Sequence, residues 1–171
     1  MGNILNHIHV INPNDDVINP DTGLTGKQKK IIQSTWITIS KDSATSGAAI
    51  MLALLKKYPE YQKLFTAFSN IPIDDLKNNP KFRAHGSGII NALSSAINSL
   101  DDSELLAAKL TMLGERHATR GQTKEQFNDL KPIILEVLKE SLGSKFTSEV
   151  SEAWSKLIDG AYTFIFKGFP K

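Results

Sequence analysis

Apolar side chains recur at helical spacing in successive segments of this chain, and this periodicity constrains the fold more than any other feature. The clearest repeat lies within 80–100 and consists of Phe82, His85, Ile89, Leu93, Ile97 and Leu100. A stripe at i, i+3 and i+4 is typical of an α-helix with one buried face. No segment shows the sustained alternation of a half-buried strand. The sequence therefore predicts an all-α protein of about seven to eight helices.

Local signals set the predicted helix ends. Thr25 with Gln28, and Thr123 with Gln126, have the spacing of capping boxes, in which the two side chains cap the start of a helix reciprocally. Pro59 and Gly143 are typical of helix ends. We predict one helix from residue 25, a short helical turn after Pro59, an aromatic corner at 64–72, and helices over about 43–57, 80–100, 103–119, 123–143 and 147–166.

The length of 171 residues suits one domain rather than two. Residues 1–23 contain Pro13, Pro20 and Gly23 among several Asn and Asp residues. This composition favours irregular structure. We therefore predict an irregular N-terminal extension at 1–23 and a helical domain at 24–169.

Composition excludes several classes of function. The 20 basic and 18 acidic residues are spread along the chain without a basic block, which argues against a nucleic-acid partner. The absence of cysteine excludes disulfides, thiolate metal sites and thiol nucleophiles. The longest uncharged stretch, 84–100, carries six Ser and Asn residues and would cross a bilayer poorly. With no secretory signal at the start, we predict a cytoplasmic protein.

Two of the four histidines lie on apolar helix faces. His85 stands inside the stripe of 80–100, and His117 follows Leu106, Leu110 and Leu113 on the next predicted helix. A buried neutral imidazole needs a hydrogen-bond partner or a metal. For one such histidine alone, a hydrogen-bonded place in the core is the commoner outcome. Two of them on different helices could instead face each other across a slot.

The walls of such a slot would be large apolar and aromatic groups. A flat macrocycle requires this kind of lining. Each residue taken singly is more typical of an ordinary core position, so the lining supports a pocket only together with the histidines. The predicted lining comprises Met51, Phe65, Phe68, Phe82, Ile89, Leu93, Leu113, Phe127 and Ile134.

Several landmarks, in order and spacing, are those of one family. They are Trp36, Pro59 six residues before Phe65, the run Phe82-Arg83-Ala84-His85-Gly86, Leu113 four residues before His117, and Trp154. With these residues the chain over 24–169 resembles the globin family and is similar to the intracellular globins of arthropods. The resemblance implies a globin fold enclosing haem b, with His117 as the proximal iron ligand and His85 as the distal histidine.

The resemblance also implies contacts between the haem and the predicted lining. Phe65 would pack flat on the haem, Met51 and Ile89 would lie over its distal face, and Leu113 and Phe127 would contact its proximal side. Phe68, Phe82 and Ile134 would complete the haem contacts. Gly47 and Gly86 resemble the close helix crossing that the family places beneath the distal pocket.

The chain departs from the commoner globins in three places. Its extension is long, Gln122 stands where many members have an apolar residue against the haem, and Met51 replaces a frequent Leu or Phe. Distal polarity and steric access decide whether a haem binds a gas, activates it or passes electrons. These departures therefore bear on oxygen affinity and ligation rather than on the fold.

Two functions follow from the resemblance, and neither assigns a catalytic residue. The favoured one is reversible dioxygen binding by ferrous haem, for storage, transport or supply, with a hydrogen bond from His85. The alternative is a six-coordinate haem in which His85 binds the iron directly, with a redox, nitric oxide-scavenging or signalling role. A secondary nitric oxide dioxygenase activity and an unidentified reductase partner are compatible with both functions.

A membrane tether belongs to the alternative function. Met1-Gly2 permits N-myristoylation, although Asn6 stands where the motif expects Ser or Thr, and an unmodified start is the simpler interpretation. A single acyl chain would give only reversible membrane contact.

Overall fold

The computed structural model describes residues 15–170, and helices account for most of them. Six α-helices are joined by turns and by four 3₁₀ helices, of which two have six residues each. Counting those two, the described residues form eight helices and no β-strand, so the predicted all-α class is confirmed. The α-helices are α1 (Gly26–Ser40), α2 (Ser43–Lys57), α3 (Pro80–Ile97), α4 (Ser103–Ala118), α5 (Lys124–Leu142) and α6 (Ser148–Ile165). The 3₁₀ helices are Pro59–Leu64, Ile73–Asn78, Gly143–Lys145 and Phe166–Gly168.

Side-chain caps begin the helices where the sequence predicts them. Both capping boxes are present. In each, the Thr side chain accepts a hydrogen bond from the backbone N–H of the Gln, and the Gln side chain accepts one from the backbone N–H of the Thr. The Asn79 side chain accepts hydrogen bonds from two backbone N–H groups at the start of α3, with Pro80 in the first turn. Each cap satisfies N–H groups that have no partner within the helix. Gly143 ends α5 with a φ of 54°, as glycine allows.

The helix α3 ends at Ile97, three residues before the predicted end at Leu100. From Ser99 onwards the backbone N–H groups bond carbonyls three residues back, as in Ser99 to Ala96 and Leu100 to Ile97. This tightening converts the last turn into a loop. Leu100 stays buried, so the apolar stripe continues past the end of the helix.

The described part of the predicted extension is irregular but packs on the helices. Asn19 accepts hydrogen bonds from the backbone N–H groups of Asp21 and Thr22 at 3.0 and 2.9 Å. Leu24 is fully buried, and Thr22 is 5% exposed. Thr22, a residue of the predicted extension, therefore packs against the helical domain near Gly160. The predicted acylation at Gly2 lies outside the described residues.

The core has two apolar clusters. The larger one includes Trp36 and Trp154, whose rings lie 5.6 Å apart, and their N–H groups donate to Ser94 and Thr35. The smaller one packs the second and third helices against the segment between them and consists of Met51, Leu55, Phe68, Leu76 and Phe82. Partners for both indole N–H groups remove the cost of burying them.

The helices α2 and α3 cross at Gly47 and Gly86 with their backbones in contact. A Cβ atom added to Gly47 would lie 1.9 Å from the carbonyl oxygen of Gly86. No side chain fits in this space, so the crossing requires glycine at that point. The close crossing expected from the sequence is therefore present, and it places His85 one residue before the contact.

We expect Gly47→Ala to lower the free energy of unfolding by about 1–3 kcal/mol, because the methyl group forces the two helices apart. Urea unfolding followed by helical circular dichroism measures this loss. The control is Asn91→Ala, an exposed site on α3, which should keep or slightly raise the midpoint. Equal midpoints for the native protein and Gly47→Ala would show that the crossing accommodates a methyl group without loss of stability.

Candidate functional site

A cavity of about 580 Å³ lies between the two apolar clusters. Its volume is within the range of sites that bind small molecules and cofactors. Nearly all the predicted site residues line it, together with side chains of α6 and of the segment before α1. The predicted residues found in the lining are Met51, Phe65, Phe68, His85, Ile89, Leu93, Leu113, His117, Phe127 and Ile134.

Phe82 is the predicted site residue that does not line the cavity. Its side chain is fully buried, and its ring packs edge-on against Phe68 with the ring centres 5.3 Å apart. Phe82 starts the same helical stripe as His85, but it lies one turn nearer the helix start, where the smaller cluster covers it. It therefore supports the wall rather than forming it.

His117 lies in the last turn of α4 and is held by a backbone carbonyl. Its Nδ1 lies 2.8 Å from the carbonyl oxygen of Leu113, one turn back. Because a carbonyl only accepts, Nδ1 carries the proton, and Nε2 of the neutral ring keeps its lone pair. The ring of Phe127 packs edge-on against the imidazole at 5.2 Å. The orientation and tautomer of His117 are those of a metal-ligating imidazole.

Glycine contacts fix α4 against the end of α6. A Cβ atom on Gly114 would lie 1.9 Å from the carbonyl oxygen of Ile165, and one on Gly168 would lie 2.3 Å from that of Thr111. Gly114 is three residues from His117, so this contact determines how far the imidazole reaches into the cavity. Sequence reasoning missed Gly114, because a helix glycine by itself does not indicate which backbone approaches it.

His85 reaches the cavity from α3 and lies beside two aromatic rings. The Phe65 ring meets it edge-on at 5.0 Å and the Phe68 ring at 6.2 Å, and the two phenylalanines stack on each other. Among residues 15–170, no hydrogen bond satisfies either ring nitrogen of His85. A half-buried imidazole in this state can still donate to, or coordinate, a ligand in the cavity.

Both cavity histidines favour the neutral form. Burial lowers the pKa of His85, and the neighbouring His117 and Arg120 act in the same direction. Burial also lowers the pKa of His117, against the raising effect of its hydrogen bond to Leu113. The neutral imidazole is the form that binds a metal.

The basic side chains of the lining lie near the end of α4 and the turn after it. Arg116 and Arg120 line the cavity there, and no Asp or Glu of the described chain does. The side-chain oxygen of Gln122 is buried at the same wall with no hydrogen-bond partner among those residues. Leaving a buried acceptor unpaired costs about 1–3 kcal/mol, so the Gln122 oxygen favours a hydrogen-bond donor such as water. The two arginines favour a ligand with negatively charged groups. A haem, with its apolar ring and two carboxylates, fits these residues.

The fold and the cavity together define a class of protein. Six α-helices enclose an apolar slot that presents two neutral imidazoles from different helices and a positive charge at one wall. These are the features expected of a helical haem protein.

The comparisons with known proteins identify the family. The globin family model matches residues 48–165, and the chain belongs to the globin family. Cytoglobin-1 of Oryzias latipes is 31% identical over 137 residues, covering 79% of this chain and 77% of that protein. The solved structure of a Drosophila melanogaster globin has a TM-score of 0.80 and 31% identity, covering 86% of this chain and all of that one. A Drosophila melanogaster hexa-coordinate hemoglobin, solved in a study of cyanide binding, has the same TM-score and coverage at 29% identity.

Family membership confirms the predicted fold, the haem cofactor and the binding of diatomic gases. The chain is a haem-dependent gas-binding protein of a family whose members generally bind oxygen rather than act as enzymes. Among the described residues, no helix has both the length and the apolar character needed to cross a bilayer.

We expect Gln122→Leu to act in opposite directions on the two forms of the protein. Without haem, removal of the buried acceptor should raise the free energy of unfolding by about 1 kcal/mol. With haem, the variant should lose the cofactor faster, because the amide N–H of Gln122 is no longer available to donate to a carboxylate of the ligand. Urea unfolding and haem transfer to apomyoglobin measure the two effects.

The control for this comparison is Gln33→Leu, an exposed position of α1 that should change neither quantity. Unchanged or slower haem loss from Gln122→Leu would contradict a role of this amide toward the cofactor.

Proposed function

We propose that this globin binds dioxygen reversibly, for storage or supply, with His117 as the iron ligand and His85 as the hydrogen-bond donor to the gas. The observation that carries the proposal is the 2.8 Å contact from Nδ1 of His117 to the carbonyl of Leu113. It leaves the Nε2 lone pair of a neutral ring free within the cavity. When bound, haem supplies a ferrous iron that coordinates a diatomic gas.

The residues of the cavity have separate tasks in this proposal. The hydrogen bond to Leu113 holds the His117 ring and raises its basicity as a ligand. His85, with no partner among the described residues, is free to donate an N–H to the gas, which adds about 1 kcal/mol of stabilisation. Met51, Phe68 and Ile89 line the cavity with apolar groups that exclude water and so protect the ferrous state.

If His117 is the iron ligand, its removal should weaken haem binding, and free imidazole should restore it. We expect His117→Gly to weaken haem binding by more than about tenfold, because losing only an outer partner of a ligand already costs 10–100-fold. Adding imidazole should restore the Soret spectrum of the native protein. Hemin titration followed by absorption measures both steps.

Glu115→Gly is the matched control, since Glu115 is exposed on the same helix. Its helix penalty is about 1 kcal/mol, and its haem spectrum should stay native. A native Soret spectrum in His117→Gly without imidazole would exclude His117 as the ligand.

A second candidate function makes His85 the sixth iron ligand, with a redox, nitric oxide-scavenging or signalling role. Two observations favour it. The ring nitrogens of His85 bond no other described residue, and the similar Drosophila hemoglobin is hexa-coordinate. In this candidate the gas competes with His85 for the iron, and enzymatic nitric oxide dioxygenation is compatible with it, as it is with the first candidate.

The spectrum of the dithionite-reduced protein, compared with that of His85→Leu, separates the two candidates. Dioxygen binding at an open site predicts one broad visible band in both proteins, and carbon monoxide should shift it at once. The variant should then release dioxygen about fivefold faster, since a hydrogen bond of about 1 kcal/mol is lost. Sharp split bands in the native protein, replaced by one broad band in the variant, would establish the six-coordinate function instead.

The setting of the proposed function is the cytoplasm, where a reductase would return ferric haem to the ferrous state. Support comes from the absence of cysteine, which fits a reducing compartment. Acylation at Gly2, with reversible membrane contact, remains part of the second candidate.

A further inference from the structure

Two of the three tyrosines of the chain share one carboxylate. The hydroxyl of Tyr61 donates to Asp129 at 2.5 Å, and that of Tyr58 donates to the other oxygen of the same carboxylate at 3.3 Å. The two phenol rings stack with their centres 5.1 Å apart and an angle of 14° between their planes. We call Tyr58, Tyr61 and Asp129 the tyrosine–carboxylate cluster.

The cluster extends from the cavity wall outwards. Tyr61 lines the cavity near Phe65, whereas Tyr58 lies behind it at the end of α2 and does not line the cavity. Both tyrosines are half-buried. The stacked pair therefore connects the haem cavity with the partly exposed side of the domain.

The oxidation chemistry of phenols indicates a function for this arrangement. An oxidised phenol that keeps its proton is a very strong acid, so a tyrosine gives up an electron readily only where a base accepts its proton. Asp129 is such a base, already hydrogen-bonded to the phenol that faces the cavity. This hydrogen bond, together with burial, raises the pKa of Tyr61 to about 12, so the phenol keeps its proton until an electron leaves.

We propose that Tyr61 is a redox site that reduces the haem after a hydroperoxide has oxidised it, with Asp129 as the proton acceptor. The inference rests on the haem site of the proposed function. In each step the O–H bond of Tyr61 breaks, one electron passes to the oxidised haem, and the proton passes to Asp129. Tyr58 then gives an electron to Tyr61, which takes its proton back from Asp129, while Tyr58 passes its own proton to the same carboxylate. A one-electron reductant of the ascorbate class in the solvent then reduces Tyr58, which recovers its proton from Asp129, and the reductant releases one proton to the solvent.

The sum of these steps balances. Reduction of hydrogen peroxide to two waters breaks the O–O bond and takes two electrons and two protons. Each turn of the cluster passes one electron to the oxidised haem, and the proton that the reductant releases to the solvent matches the proton taken up in forming water, so two turns reduce one peroxide. Two hydrogen-atom equivalents of the solvent reductant supply the whole requirement. The activity inferred is therefore peroxide reduction through a tyrosine relay.

Tyr162 provides a comparison within the same cavity. It also lines the cavity, but its hydroxyl donates to the backbone carbonyl of Phe127 at 2.5 Å. A carbonyl is not a base that can take up the proton, and burial raises the pKa of Tyr162 further from neutrality. A position at the cavity wall is therefore not sufficient for oxidation, and the carboxylate selects Tyr61.

The test uses the full chain loaded with hemin, mixed with hydrogen peroxide and freeze-quenched for electron paramagnetic resonance. Ring-deuterated tyrosine identifies the radical, since Trp154 also lines the cavity. We expect a radical signal that narrows with the label and that is lost in Tyr61→Phe. Tyr162→Phe should keep the signal.

Asp129→Asn tests the proton acceptor while both tyrosines remain. We expect the tyrosine radical to form about 10²-fold more slowly, because a positioned proton acceptor contributes 10²–10⁴-fold to such a transfer. Peroxide consumption with ascorbate should slow in parallel. A purely structural role, in which the cluster only joins the 3₁₀ helix Pro59–Leu64 to α5, would leave radical formation unchanged.

The outcomes separate this inference from the proposed function. Failure of the native chain to take up hemin would overturn both. Uptake of hemin followed by a tyrosine radical that survives Tyr61→Phe, or by no tyrosine radical, would overturn the relay alone. If Tyr61→Phe itself loses hemin, the rate in Asp129→Asn decides, and an unchanged rate overturns the relay.

Discussion

Two backbone contacts between helices determine where the histidines of this globin lie. At Gly47 and Gly86 the helices α2 and α3 touch without side chains between them, and at Gly114 the helix α4 touches the end of α6 in the same way. His85 is one residue from the first contact, and His117 is three residues from the second. Backbones in direct contact cannot move relative to each other without a clash. The width of the cavity between the two histidines therefore follows from these contacts rather than from the apolar lining.

Sequence alone predicted the parts of the structure that depend on near neighbours in the chain. Capping boxes at Thr25 and Thr123 gave helix starts, because the groups that bond one another are three residues apart. Helical periodicity placed His85 and His117 on inward faces, because a stripe needs no knowledge of its partner helix. The family resemblance then supplied the pairing of the two stripes, which periodicity could not.

The rest of the site depends on contacts between distant segments. Phe82 shares the stripe of His85, yet only the position of Phe68 determines that it supports the wall instead of forming it. Tyr61 and Asp129 are 68 residues apart. They meet because α2, which ends just before Tyr61, packs on α5. A tyrosine in a short helical turn and an aspartate on a helix surface carry no pattern that pairs them.

The same contacts limit how His85 can change its role. Sliding α3 along α2 would press the carbonyl of Gly86 into Gly47, so the helix cannot readily carry the imidazole across the cavity. The rings of Phe65 and Phe68 lie against the imidazole and bound the rotation of its side chain. Side-chain rotamers change at far lower cost than packed backbones move. The choice between donating a hydrogen bond and binding iron therefore lies in the torsion angles of His85 and in the room that its aromatic neighbours leave.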